Sequence, residues 1–330
     1  MSAFALSLSP QDLVDALHAF IDAAAEKAGS PRAIKPGHRV KFQWPPHPVG
    51  RDYNVHHAAY TEHAFFQAYG EKFEVMVATT RHGVFGRCEA LWLEAMGKDE
   101  RQMLRRMTEA AEPLFKRQMA ISRCIGQTAR FSGSIRDLCP LDILKLLYCE
   151  DRDVANSARI EIETHTANHL FTPALIAILR DRRHPNRRIA HWCVLDLFED
   201  MASYVNDADE EQDAVDAIRG LLWDAEDDYA RAVFKAGTVV GGHLNAEIAS
   251  PVLVECLGAP SRIGRRAAIH GLFHVVEWLP DTRQAIVSVL RGHVDRETDP
   301  QLAEFAASIA DDLAAGAFDH RPEPIFPDEP

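Results

Sequence analysis

The stretch Leu175-Ile-Ala-Ile-Leu-Arg-Asp-Arg-Arg-His-Pro-Asn-Arg-Arg-Ile-Ala190 decides how this chain is read. An apolar helix, Thr172–Arg180, runs into a turn at His184-Pro185, and a second helix then opens with the small residue Ala190. Four further segments superimpose on that opening: Asp153–Ala158, Asp227–Ala232, Gly264–Ala268 and Pro300–Ala306. The anchor alanines fall at 158, 190, 232, 268 and 306, at intervals of 32, 42, 36 and 38 residues. A second apolar helix follows most anchors, at Thr172–Arg180, Ala214–Leu222, Ala249–Leu257 and Thr282–Leu290. Repetition at 30–45 residues is the mark of stacked supersecondary units. Small anchors allow close helix approach, and Leu and Ile fill the space between neighbours.

Residues 139–315 resemble HEAT repeats. Leu179-Arg-Asp181, His184-Pro185, Arg187-Arg188 and Ala190 follow that family's Leu-x-Asp…Pro-x-Val-Arg-x-x-Ala shape, and Gly258–Ala268 is the next best unit. The resemblance implies a right-handed α-solenoid of antiparallel helix pairs, and most members are protein-binding scaffolds. It also implies that Arg188, Arg231 and Arg266 pair with acids of a neighbouring unit, with Asp181, Asp227 and Asp228 available. HEAT-like hydroxylases hold iron on His-Glu dipeptides, which this sequence lacks. No residue points to a bilin, the ligand of another HEAT-like group.

Upstream the pattern changes. Ser9-Pro10 opens a helix carrying Leu13, Val14, Leu17, Phe20 and Ile21 at helical spacing. Residues 31–51 hold five prolines and form an extended connection, with a short strand at Val40, Phe42 and Trp44. Phe73, Val75 and Val77 alternate with their neighbours, a turn falls at Arg81-His82-Gly83, and Val84–Leu93 reads as the returning strand. A long helix over 99–122 presents Met103, Met107, Leu114 and Phe115 inward. The β-hairpin followed by this helix, 73–115, resembles the β-β-α core of HicB-type antitoxins. The expected division is an α+β region over 1–135, a mostly α HEAT-like solenoid over 136–315 and a flexible acidic Pro-rich tail over 316–330.

Charge follows the same boundary. The 330 residues carry a net −13. Residues 1–135 have 17 basic against 14 acidic side chains, and 136–330 have 19 against 35. A solenoid at −16 argues against nucleic acid, whose binding needs Lys and Arg to displace counterions. It suits a basic protein partner. None of the six cysteines forms a Cys-x-x-Cys pair, which fits reduced thiols in a cytoplasmic protein. No apolar run of about 18 residues is present, so no membrane span is expected.

Histidine supplies the candidate ligands. His165/His169 and His270/His274 have helical i,i+4 spacing, with Glu161 and Glu277 extending the same faces. His56, His57 and His63, with His47, cluster near Arg51, Asp52, Tyr53 and Tyr60. These are the candidate sites for a divalent metal, the only cofactor the sequence suggests. Asp209, Glu210 and Glu211 lie in an acidic stretch, 207–228, with ten carboxylates against Arg219. With Arg187, Arg188, Arg265 and Arg266 they are the candidate partner-binding residues. Gly-x-Ser-x-Gly and P-loop motifs are absent. The expectation is a protein-binding scaffold using the solenoid surface, its concave face above all. The alternative is a metal- or cofactor-dependent enzyme or sensor using the histidines.

Overall fold

The computed structural model describes residues 9–28, 60–68, 70–91, 93–200, 208–226, 229–317 and 325. Twelve α-helices and four strands are found among them, so the chain is mostly helical. The residues fall in two compact units, one within Met1–Ile34 and Gly133–Pro330 and the other within Lys35–Ser132. The second unit is thus an insertion in the first. The stretch of 31–51 expected to be extended lies outside the described residues, as does most of the expected tail.

The inserted unit is an antiparallel meander of β1 (Glu62–Ala68), β2 (Glu71–Thr80), β3 (Gly83–Cys88) and β4 (Leu93–Gly97), followed by α2 (Glu100–Cys124). Alternate residues of β1 and β2 are buried, and the register sets Phe66 opposite Phe73 and Ala64 opposite Val75. One face of the sheet is therefore apolar, as the period of two requires. The helix closes it with Met103, Met107, Ala111 and Phe115, one residue per turn, all buried. Asp99 caps α2 by accepting from the Gln102 backbone N–H at 2.8 Å. Gly86 leaves room for Met103, because a Cβ there would overlap its sulfur.

The hairpin turn falls at Arg81-His82 as expected, with Thr80 opposite Gly83. The returning strand is shorter than Val84–Leu93. It ends at Cys88, a 3-10 turn follows at Glu89–Leu91, and β4 starts at Leu93. The strand β1 was not anticipated from sequence.

The helical unit contains α1 (Pro10–Ala28), α3 (Pro140–Leu146), α4 (Arg152–Glu163), α5 (Thr172–Arg180), α6 (Arg187–Asp200), α7 (Ala208–Trp223), α8 (Ala230–Gly242), α9 (Ala246–Cys256), α10 (Arg262–Trp278), α11 (Arg283–Val294) and α12 (Pro300–Ala315). Helices two apart in the chain pack on each other. One row runs α4, α6, α8, α10, α12 and another α5, α7, α9. The five anchor alanines lie on the five helices of the first row, one each, and all are buried. Small side chains there let helix axes approach, while Leu and Ile from both rows supply the apolar area, at about 25 cal/mol per Å² removed from water.

Helix α1 differs in placement from the expected division at residue 135. It belongs to the helical unit, where it packs on α3 and α5 and so heads the second row. Leu13, Leu17 and Ile21 are its buried stripe. An amphipathic stripe shows that a helix has a partner without showing which, so sequence adjacency was the wrong guide.

Side-chain caps begin several of these helices. Asp151 accepts from the N–H groups of Asp153 and Val154, Asp299 from those of Gln301 and Leu302, and Ser261 from that of Gly264. Each cap contributes about 1 kcal/mol. Gly316, at φ 73°, ends α12 in the left-handed region.

Candidate functional site

The decisive stretch of sequence also builds a polar interior, with Asp181, His184 and His191 all buried. Asp181 follows α5, and its Oδ1 accepts from the backbone N–H of Arg183 at 2.7 Å and of His184 at 3.2 Å. That turn points His184 inward. Its Nδ1 accepts from the Asn186 N–H at 3.0 Å, and the Asn186 side chain donates to the Tyr148 carbonyl at 2.9 Å. The His184 ring lies 4.3 Å from that of Tyr148, and Phe20 of α1 stacks on it at 5.3 Å. One turn into α6, His191 is buried, and its Nδ1 lies 2.7 Å from the Tyr229 hydroxyl.

Burial dominates the protonation of this group. It pushes His184 down to about 4, with Arg187 adding to the effect and Asp181 opposing it. Burial and the neighbouring Arg182 push His191 down to about 3. The phenols of Tyr148 and Tyr229 are raised, again by burial first. Arg182 is lowered by desolvation. At neutral pH both imidazoles are uncharged and both phenols hold their protons. The neutral His191 ring and the protonated Tyr229 phenol therefore share one hydrogen bond through Nδ1 at 2.7 Å.

Beside this network lies a cavity of about 40 Å³, lined by Arg182, Arg187, Arg188, His191, Glu226 and Tyr229 among others. It has room for ordered water. Glu226 faces its arginines, 2.7 Å from Arg188 and 4.0 Å from Arg187. The guanidinium of Arg188 also covers the Tyr229 ring at 4.9 Å. Arg187 and Arg188, expected on a partner surface, are themselves mostly covered and converge on the exposed carboxylate of Glu226. Arg188 pairs with Glu226, which precedes α8, and not with one of the three aspartates expected; of those, Asp227 and Asp228 lie outside the described residues.

Arg265 and Arg266 are corrected. Arg265 forks onto both oxygens of Glu297, at 2.7 and 3.0 Å, and donates to the carbonyls of Ala259 and Pro260. Burial acts to raise Glu297, and the Arg265 fork outweighs it and holds that carboxyl below its usual range. Arg266 is fully buried, its guanidinium 3.6 Å from the centre of the Phe305 ring and 5.3 Å from that of Phe234. Arg265 ties α10 to the turn after α11, and Arg266 ties α10 to α8 and α12. Arg231 covers the Trp192 ring at 4.6 Å.

The acidic residues stand at the start of α7, where carboxylates complement the positive end of the helix. Asp209 is exposed and Glu210 and Glu211 are half-buried. Glu211 accepts from the Asn245 backbone N–H, which ties α7 to the start of α9.

The histidines separate into three outcomes. His56 and His57 lie outside the described residues; His63 sits on β1 and pairs with Glu74 across the sheet at 2.8 Å, both exposed. His165 and His169 do not share a helical face, because α4 ends at Glu163 and His169 lies in a separate 3-10 turn. His165 instead accepts from the Ala167 N–H at 3.1 Å. His270 and His274 do lie together on α10, with Nε2 atoms 3.1 Å apart. Glu277 reaches His274 Nδ1 at 2.6 Å.

His184, His191, Tyr148 and Tyr229 were not singled out from sequence. A usable signal existed. Tyr148 to Asn186, Arg188 to Glu226 and His191 to Tyr229 are each offset by 38 residues, within the 32–42 range of the anchor intervals. Polar or aromatic residues at that offset are neighbours in space. No family model, curated protein or solved structure matches this chain.

Proposed function

We propose that the helical unit is a HEAT-like α-solenoid acting as a protein-binding scaffold, and that its partner presents a basic surface. The observation that carries the reading is the exposed side of the α1, α7 and α9 helices. Exposed residues recur at helical spacing on each: Asp12, Asp15, Asp22 and Glu26 on α1; Asp209, Asp213 and Asp216 on α7; Glu247 and Glu255 on α9. Three of these carboxylates are tied to arginines, Asp22 to Arg183, Asp213 to Arg180 and Glu255 to Arg219. The others present negative charge outward.

Support for the repeat architecture comes from the one-per-helix placement of the anchor alanines and from ion pairs between successive helices of a row. Arg159 pairs with Asp196 and Lys235 with Asp196 and Glu199 along the first row; Arg180–Asp213 and Arg219–Glu255 do so along the second. The exposed pairs of the second row contribute about 0–1 kcal/mol each, so they favour the register of stacking more than total stability. Apolar area shared between neighbours does the stabilising, and it leaves the outer polar faces free for a partner.

The test is binding of the full-length chain to an arginine- and lysine-rich peptide, followed by fluorescence anisotropy. The expected result is salt-sensitive binding that Asp209→Lys/Asp216→Lys/Glu247→Lys weakens at least tenfold. Unchanged affinity in that triple variant, or no binding at low salt, would overturn the reading. Among the described residues no helix is long and apolar enough to cross a membrane.

A further inference from the structure

We propose that His270 and His274 form a binding site for one divalent transition-metal ion of the imidazole-preferring class, with Glu277 as the residue that positions His274. Both imidazoles stand on α10, one turn apart, with rings 4.6 Å between centroids and at 85° to each other. Their Nε2 atoms converge to 3.1 Å. An ion bonded to both at about 2.0–2.1 Å subtends roughly 100°, between the octahedral and tetrahedral angles. Imidazole pairs select zinc, copper, nickel or iron over the oxygen-seeking magnesium and calcium.

The surroundings favour a lone pair on His274 Nε2. Glu277 Oε2 lies 2.6 Å from Nδ1, so the carboxylate accepts the Nδ1 proton and leaves Nε2 bare. A carboxylate behind a histidine fixes the tautomer and raises ligand basicity, and its loss typically costs about 10–100-fold in metal affinity. The other ring is held by stacking: Phe234 lies over His270 at 4.4 Å and 20°. On α8, Gly242 has no side chain where the His274 ring passes, at 3.5–3.9 Å from where a Cβ would be.

Without an ion, one proton shared between the Nε2 atoms satisfies the pair. It resides on His270, since His274 keeps its own on Nδ1. The ion takes the place of that proton on Nε2, and the proton moves to His270 Nδ1, so the ring remains a neutral ligand. Among the described residues no group of three His, Cys, Asp or Glu side chains could hold a metal, so water fills the remaining positions.

The probe is zinc(II) alone, titrated calorimetrically into the full-length, tag-free chain at pH 7.5. One ion per chain is expected. His274→Gln, at a side chain 21% exposed, should weaken it at least tenfold with the circular dichroism spectrum unchanged. Glu277→Ala should weaken it about 10–100-fold. Glu277→Gln, whose carbonyl still accepts the Nδ1 proton, should recover part of that loss, an ordering that a purely structural role for Glu277 does not produce. His56→Ala/His57→Ala should bind zinc like the parent, and zinc should raise its unfolding temperature. The last measurement holds even if His274→Gln fails to fold. No zinc binding, or stoichiometric zinc that survives His274→Gln and disappears in His56→Ala/His57→Ala, overturns the proposal.

Discussion

Gly241 of α8 and Gly271 of α10 meet backbone to backbone: a Cβ on Gly241 would overlap the carbonyl oxygen of Gly271. One turn earlier, Gly237 stands in the same relation to the carbonyl of Ala267. The contact between these two first-row helices is therefore made by main chain, and it tolerates no added atom. Glycine inside a helix costs about 1 kcal/mol relative to alanine, so its use here marks a packing requirement.

That requirement gives a pair of substitutions with opposite signs. Gly241→Ala gains helix propensity but forces the helices apart, and should lower stability by about 1–3 kcal/mol. Gly292, inside α11, has open space around its Cβ position, so Gly292→Ala should raise stability by up to about 1 kcal/mol. Urea midpoints at unchanged slope are the measurement. A neutral Gly241→Ala would mean that α8 and α10 are not in this contact.

Stability should fall as pH drops below about 6.5. His184 and His191 are pushed down to about 4 and about 3 in the folded chain by burial, whereas in the unfolded chain they titrate near 6.5. Their contribution is fully present above 6.5 and is lost as pH falls toward the folded values, because the unfolded chain then binds more protons. The slope approaches about 1.4 kcal/mol per pH unit for each histidine within that window. Urea midpoints measured between pH 7.5 and 5 read the summed effect of the buried histidines, to which His293, also lowered by burial, adds. His191→Gln should flatten the profile; an equally steep profile in that variant counts against a buried neutral His191.

Thiol reactivity should divide the cysteines by burial. Cys139 is exposed, while Cys88, Cys149, Cys193 and Cys256 are buried. Burial pushes Cys193 and Cys256 up to about 12, which removes the thiolate that alkylating reagents need. Iodoacetamide at pH 8 followed by mass mapping should label Cys139 first and the four buried residues only after denaturation. Rapid native labelling of Cys193 would contradict the placement of α6.

Several elements were legible from sequence for identifiable reasons. The anchors at 158, 190, 232, 268 and 306 all reach buried positions on one row of helices, since a small side chain at a helix contact is a local feature that spacing reveals. The His270/His274/Glu277 face was legible because α10 continues unbroken through it. The His165/His169 face was not, since nothing in the local pattern announces that α4 stops at Glu163. The strands β1 and β4 were missed or merged because each is seven residues or fewer and carries little periodicity of its own. Arg265 and Arg266 looked like surface charge, and only the opposing Glu297 and Phe305, more than thirty residues away, turn them inward.

By itself the sequence determined the helical periodicity, the recurrence of small anchor residues, the β-hairpin followed by a helix, and the acidic balance of the C-terminal part. These follow from local spacing, which sets the face a side chain occupies on its own helix or strand. The tertiary structure decided that α1 joins the helical unit and the β unit is inserted in it, that His191 and Tyr229 share a hydrogen bond, and which arginines are internal. Those outcomes depend on which faces meet between helices distant in the chain, where burial lowers a histidine or stacks a guanidinium on an aromatic ring, and no local pattern encodes the partner.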